Sequence, residues 1–161
     1  MKVRFRRRRE AKTDFDQRLA LVKSGEVRIV IRRRLNNISV QFINYHRDGD
    51  KTVASSFSSE LRKYGWTFSN GNIPAAYLTG LLAGFKAKAH VKTAILDAGL
   101  QTSTKGSRIY SALKGVIDSG INVPHSQEIL PSDQRIKGLH IKEEVAKNFD
   151  EVKNKIVSEY G

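Results

Sequence analysis

The chain has 161 residues, enough for one domain of ordinary size plus a tail, and carries a net charge of +13. It contains no cysteine, which excludes disulfides, zinc–thiolate sites and cysteine nucleophiles together. Its longest apolar stretch, residues 73–85, falls short of the ~20 residues a membrane span needs, and no apolar run follows the basic N-terminus, so a soluble, cytoplasmic protein without a secretory signal is expected.

The excess charge is local. The first 34 residues hold 13 of the 29 lysines and arginines but only 4 of the 16 carboxylates. Arg4, Arg6, Arg7, Arg8 and Arg9 sit nearly side by side, and Lys12 and Arg18 follow. Like charges this dense repel, so residues 1–25 read as an extended basic arm, disordered until a polyanion neutralises it. Asp14 can cap a short helix that carries Phe15, Leu19 and Val22 on one face. Arginine pairs bidentately with phosphate and stacks on bases, and arginine-rich segments often fold on RNA, which makes RNA the first partner to expect. The plainer alternative is a solvated tail or a targeting address.

Residues 26–121 read as an α/β core. Runs at 27–34 and 38–45 alternate apolar and polar side chains across a short polar connector, the pattern of a β-hairpin. Asp48-Gly49-Asp50 signals a turn, and 51–57 can supply a third strand. Asn72 or Gly71, ahead of Pro74, opens a helix rich in alanine, leucine and glycine that runs to about Ala89. A short buried-type strand follows at 93–97, then a helix over 107–119 with Ile109, Leu113, Val116 and Ile117 at helical spacing. The order β-β-β-α-β-α implies a single compact domain with a mixed sheet, antiparallel at its start and closed by a helical crossover, flanked by helices. Residues 122–161 form a Pro-punctuated segment (Pro124, Pro131) and an amphipathic C-terminal helix with Val145, Phe149, Val152 and Ile156 in one stripe. That stripe packs on the domain or lies along a partner.

Several residue groups carry chemistry. Arg28, Arg32 and Arg34 alternate along the first strand and, with Arg33, extend the arm's charge onto one sheet face, a continuous phosphate-tracking surface with salt-dependent affinity. Thr104-Lys105-Gly106-Ser107-Arg108 leads into a helix, where free amides beside Lys105 and Arg108 suit an anion, although an ordinary capped helix explains it equally well. The aromatics of Arg62-Lys63-Tyr64-Gly65-Trp66-Thr67-Phe68 can stack on a base, but core filling is the better account. Gly80 and Gly84 have the spacing that lets two backbones approach closely. The four histidines show no metal-like spacing. Asp50, Glu60, Asp97 and Asp118 could hold magnesium if they gathered at a sheet edge, so a metal-dependent nuclease on an RNase-H-like scaffold stands as the runner-up, and a nonspecific RNA-binding module as a third reading.

An ordered set of strings goes further. Residues 6–15 and 18–25, Ser59-Glu60-Leu61-Arg62-Lys63-Tyr64-Gly65-Trp66, Asn72-Ile73-Pro74-Ala75-Ala76-Tyr77-Leu78-Thr79-Gly80 and its continuation to Gly84, Ala94-Ile95-Leu96-Asp97, Lys105-Gly106-Ser107-Arg108, Ala112-Leu113-Lys114-Gly115 and Pro124-His125-Ser126 follow one another as in one ribosomal protein family. The chain resembles, over roughly residues 4–141, the archaeal branch of the universal L-eighteen family (L-five in eukaryotes). The resemblance implies a structural, non-catalytic protein of the large ribosomal subunit, without cofactor or metal. It would bind 5S rRNA and tether it to 23S rRNA in the central protuberance, among neighbouring large-subunit proteins, with no membrane or small-molecule substrate. The family's basic arm maps onto Arg4 to Arg18, its hairpin turn onto Arg33, Arg34, Leu35, Asn36 and Asn37, and its Lys-Gly-Ser-Arg loop onto Lys105, Gly106, Ser107 and Arg108. Leu35 stands where a more polar residue is expected.

Overall fold

A computed structural model describes residues 3–160. The alternating runs become β1 (Val27–Arg33) and β2 (Ile38–Asn44), an antiparallel pair in which Ile29 faces Phe42 and Ile31 faces Val40. Strand β3 (Lys51–Phe57) adds to β2, again antiparallel, with an irregularity between Phe42 and Ile43. A 3-10 segment (Ser58–Tyr64) then leads to helix α3 (Ile73–Lys88). Asn72 Oδ1 accepts a hydrogen bond from the Ala75 amide at 2.8 Å, and Pro74 lies in the first turn, where its missing N–H costs nothing. Strand β4 (Ala94–Asp97) pairs parallel to β1, with Val27 opposite Ala94 and Val30 opposite Asp97. The sheet order is β3-β2-β1-β4, so the chain crosses from one edge to the other through α3. The expected mixed sheet with a helical crossover is what forms.

Helix α4 (Arg108–Asp118) lies beside α3 on one face of the sheet. Ile29, Ile31, Val40 and Phe42 bury against Ala83, Ile109, Leu113 and Val116. The two helices meet backbone to backbone: a Cβ on Gly80 would strike the Ala112 carbonyl, one on Gly84 the Ser119 hydroxyl, and one on Gly115 the Tyr77 carbonyl. The small-residue spacing of α3 therefore serves close helix packing, as its sequence implied.

Because α3 is apolar nearly all round, it needs cover on its far side as well. Helix α6 (Glu143–Tyr160) supplies it, placing Val145, Phe149, Val152 and Ile156 against Leu78, Leu81 and Leu82. The C-terminal stripe thus packs on its own domain. Trp66 joins this second core at 2% exposure, with its Nε1 donating to the Ser69 carbonyl at 3.2 Å and Phe68 edge-on at 5.7 Å, so these aromatics fill the interior. A short helix that the sequence reading omitted, α5 (Asp133–Lys137), sits between Pro131 and Gly138.

The N-terminal arm agrees with expectation in one part and departs from it in another. The short helix expected after Asp14 forms as α2 (Phe15–Lys23), capped by Asp14 Oδ1 at 3.0 Å from the Asp16 and Gln17 amides, but the arginine run before it is not extended: Arg6–Arg9 make one helical turn, α1. Acids interleaved with the arginines explain the difference. Glu10 lies 3.9 Å from Arg6 and 2.9 Å from Lys12, Asp16 lies 3.4 Å from Arg8, and Thr13 accepts from Arg7 at 2.9 Å. These pairs are exposed and individually weak, and Phe5 stacking on Phe15 at 5.9 Å adds a small apolar clasp.

Candidate nucleic-acid interface

Period-two geometry puts Arg28, Val30 and Arg32 on the sheet face away from α3 and α4, and parallel pairing places Asp97 opposite Val30, between the two arginines. The Asp97 carboxylate takes Arg28 Nη1 at 3.0 Å and Arg32 Nη2 at 2.8 Å, and its backbone carbonyl accepts Arg32 Nη1 at 2.6 Å. On its other side Arg28 Nη2 meets Asp50 at 2.7 Å, and the same carboxylate oxygen receives Arg18 Nη2 from α2 at 2.8 Å. A chain of alternating charge, Arg18–Asp50–Arg28–Asp97–Arg32, therefore links arm, turn and strands.

This corrects the reading of Arg28 as an outward phosphate contact. Arg28 is 3% exposed, and both of its terminal nitrogens are engaged by carboxylates. A buried guanidinium is tolerated only when paired, and here two acids pair it. Arg32 shares Asp97 but stays partly exposed, while Arg33, Arg34, Asn36 and Asn37 are exposed at and beyond the end of β1. Leu35, 88% exposed, crowns the turn.

Between arm and sheet lies a cavity of about 220 Å³, lined among others by Arg7, Lys12, Arg18, Arg28 and Arg32 together with Asp14, Asp50 and Asp97. Arg4, Arg6, Arg8 and Arg9 are exposed on the arm, near in sequence but outside this cavity's lining. At the carboxyl ends of β1 and β4 a second cluster forms. Gly106 turns the loop with φ +66°, a conformation other residues rarely adopt, and Ser107 occupies the cap position of α4 without making the capping hydrogen bond. Lys105 pairs with Glu128 at 3.1 Å, and Arg108 Nη1 donates to the Gly71 carbonyl at 2.7 Å. A cavity of about 340 Å³ brings Lys105, Ser107 and Arg108 together with Arg33 and with Arg135 of α5. Arg135 was missed in the sequence because nothing local marks an arginine in a five-residue helix as part of a distant loop.

The four carboxylates considered for metal binding do not converge. Asp50 and Asp97 share Arg28, a cation where a metal ion would sit; Glu60 holds Lys86 at 2.6 Å; Asp118 accepts from the Tyr77 hydroxyl at 2.8 Å and pairs with Lys114 at 3.0 Å. Among the described residues no group of three or more metal-type ligands is arranged to hold an ion. Burial, with the Asp118 hydrogen bond beside it, pushes the Tyr77 phenol well above its ordinary value and keeps it a donor. Among the described residues no helix is long and apolar enough to cross a membrane.

The family model described as "Ribosomal large subunit proteins 60S L5, and 50S L18" matches residues 1–94 and 84–126. The large ribosomal subunit protein uL18 of Korarchaeum cryptofilum is 60% identical over 141 residues, covering 87% of this chain and 72% of that relative. The uL18 protein of Methanococcoides burtonii is 48% identical across 99% of this chain and 95% of its own length, and that of Methanococcus maripaludis is 50% identical across 88% and 74%. With the mixed sheet, the arginine-rich arm and the loop before α4 each carried by a matching stretch of sequence, the chain belongs to the archaeal uL18 family of large-subunit ribosomal proteins.

Proposed function

We propose that this chain is a non-catalytic structural constituent of the large subunit of cytoplasmic ribosomes that binds 5S rRNA and helps attach it to 23S rRNA in the central protuberance, beside neighbouring large-subunit proteins. The observation that carries the reading is the concentration of exposed cations on the arm and at the carboxyl ends of β1 and β4, held by a rigid α/β body. Arg4, Arg6, Arg7, Arg8, Arg9, Lys12 and Arg18 are exposed on the arm, Arg33, Arg34, Asn36 and Asn37 on the hairpin turn, and Lys105 on the loop before α4, with Ser107 and Arg108 half-buried beside it. Arginines grip phosphates bidentately, and RNA specificity then comes from shape and exposed bases rather than a duplex code. Arg28 serves as an internal strut that orients Arg32 through Asp97.

Competition between 5S rRNA and transfer RNA at two salt concentrations tests this with the full chain. Retained 5S binding at the higher salt, with transfer RNA displaced, is expected. Equal loss of both RNAs would leave only a polyanion grip and favour the nonspecific module.

A further inference from the structure

The crevice at the carboxyl ends of β1 and β4 gathers cations from three separate elements. Arg33 reaches it from the end of β1, Lys105 and Arg108 from the loop before α4, and Arg135 from α5. Three threonine and serine residues (Thr102, Thr104 and Ser107) complete its polar lining, and Ile73 and Ile109 its apolar wall. Among the described residues no carboxylate lines it. Glu128 pairs with Lys105 at 3.1 Å, but both side chains are over 70% exposed, so that bond neutralises little. Arg33 and Arg135 have no carboxylate partner among the described residues.

The contrast with the other cavity is direct. Beneath the arm, Asp14, Asp50 and Asp97 sit among the cations. Here four cations face one space of about 340 Å³ and repel one another until an anion enters. The place is also where open α/β sheets admit ligands, outside the carboxyl ends of parallel strands. The volume lies in the range of small-ligand clefts, roughly 300–1,000 Å³.

The fourth cation comes from outside the matched family model, which ends at residue 126. The segment after it folds back on the loop: the Gly106 amide donates to the Ile129 carbonyl at 2.9 Å, and α5 follows directly. We propose that this crevice binds a single phosphate group of an RNA strand, with its sugar, and that Arg135 supplies a charge the loop before α4 lacks alone. This rests on the RNA-binding reading above and adds to it a residue, Arg135, and the single phosphate the crevice would hold.

The test is an amide NMR titration of the RNA-free full chain with cytidine monophosphate, with cytidine and acetate as controls. Saturable shifts at Gly106, Ser107 and Arg108 are expected with the nucleotide and none with cytidine. Arg135→Gln should weaken the response about tenfold, the loss of one charge-assisted contact. Lys137→Gln, on the same helix but outside the cavity lining, should leave it unchanged. No saturation, or equal weakening by both variants, overturns the site, and an equal response to acetate would point to a carboxylate-bearing protein neighbour instead. Because no ribosomal RNA enters the titration, the two readings fail separately. Lost 5S selectivity with an intact titration removes the functional proposal and leaves the site, whereas a silent titration with 5S selectivity retained removes the site alone.

Discussion

The arginines of the arm and those of β1 share a residue type and a stretch of 34 residues, yet they live under opposite physics. Arg6, Arg7, Arg8 and Arg9 are solvated, the first three loosely paired with Glu10, Thr13 and Asp16, and stand on a helical turn with no buried residue. Arg28 is nearly sealed from water and shared between Asp50 and Asp97. Charge in the first group is available to a partner at little cost. In the second it is spent inside the fold, where removing one partner leaves a buried ion short of counter-charge. Basic character in a sequence therefore says little about binding until the nearby acids are located.

The largest effect should follow from Asp97→Ala. It leaves buried Arg28 with Asp50 alone and frees Arg32, and breaking a buried pair from one side costs about 3–5 kcal/mol. Thermal unfolding of the RNA-free chain should show a fall of that size. A loss under about 1 kcal/mol would mean that water or Asp50 compensates Arg28 and that the strand arginines resemble those of the arm after all. Replacing Arg6, Arg7, Arg8 and Arg9 together by alanine should do the reverse. Unfolding should be unchanged, while the log–log salt slope of RNA binding falls by about one for each phosphate contact removed. A marked loss of thermal stability would show that the arm is part of the core.

Much of the fold was readable because it depends on local periodicity. The hairpin, the third strand, the capped α3, the crossover strand and the C-terminal stripe all appear where alternation, caps and helical spacing put them. What could not be read was pairing at a distance. Asp97 stood out as a carboxylate after a buried strand, but only the parallel register of β4 against β1 reveals that it sits between Arg28 and Arg32 rather than beside a metal. Arg135 was silent for the same reason, since its neighbours come from β1 and from the loop before α4. Asp14 announced the second helix of the arm, but the turn at Arg6–Arg9 was hidden by net charge, which conceals that Glu10 and Asp16 interrupt it.

Asp50 sits on the border between the two regions and offers the smallest but sharpest test. One of its oxygens takes Arg18 from the arm and Arg28 from the sheet, at 2.8 and 2.7 Å. Asp50→Asn keeps the shape and an acceptor but removes the charge, while Arg28 retains Asp97. Since Arg18 is 44% exposed, the lost attraction is largely screened, and stability should fall by less than about 1 kcal/mol. The arm should respond more than the core: amide exchange across α2 should quicken while that of α3 and β1 stays fixed, because Arg28 keeps Asp97 whereas Arg18 keeps no carboxylate among the described residues. Freed of Asp50, Arg18 becomes available to any phosphate, so affinity for transfer RNA should rise slightly and discrimination against it should narrow. Unchanged exchange in α2 would show that the apolar clasp of Phe5 on Phe15 holds the arm, and that the charge chain ends at the sheet.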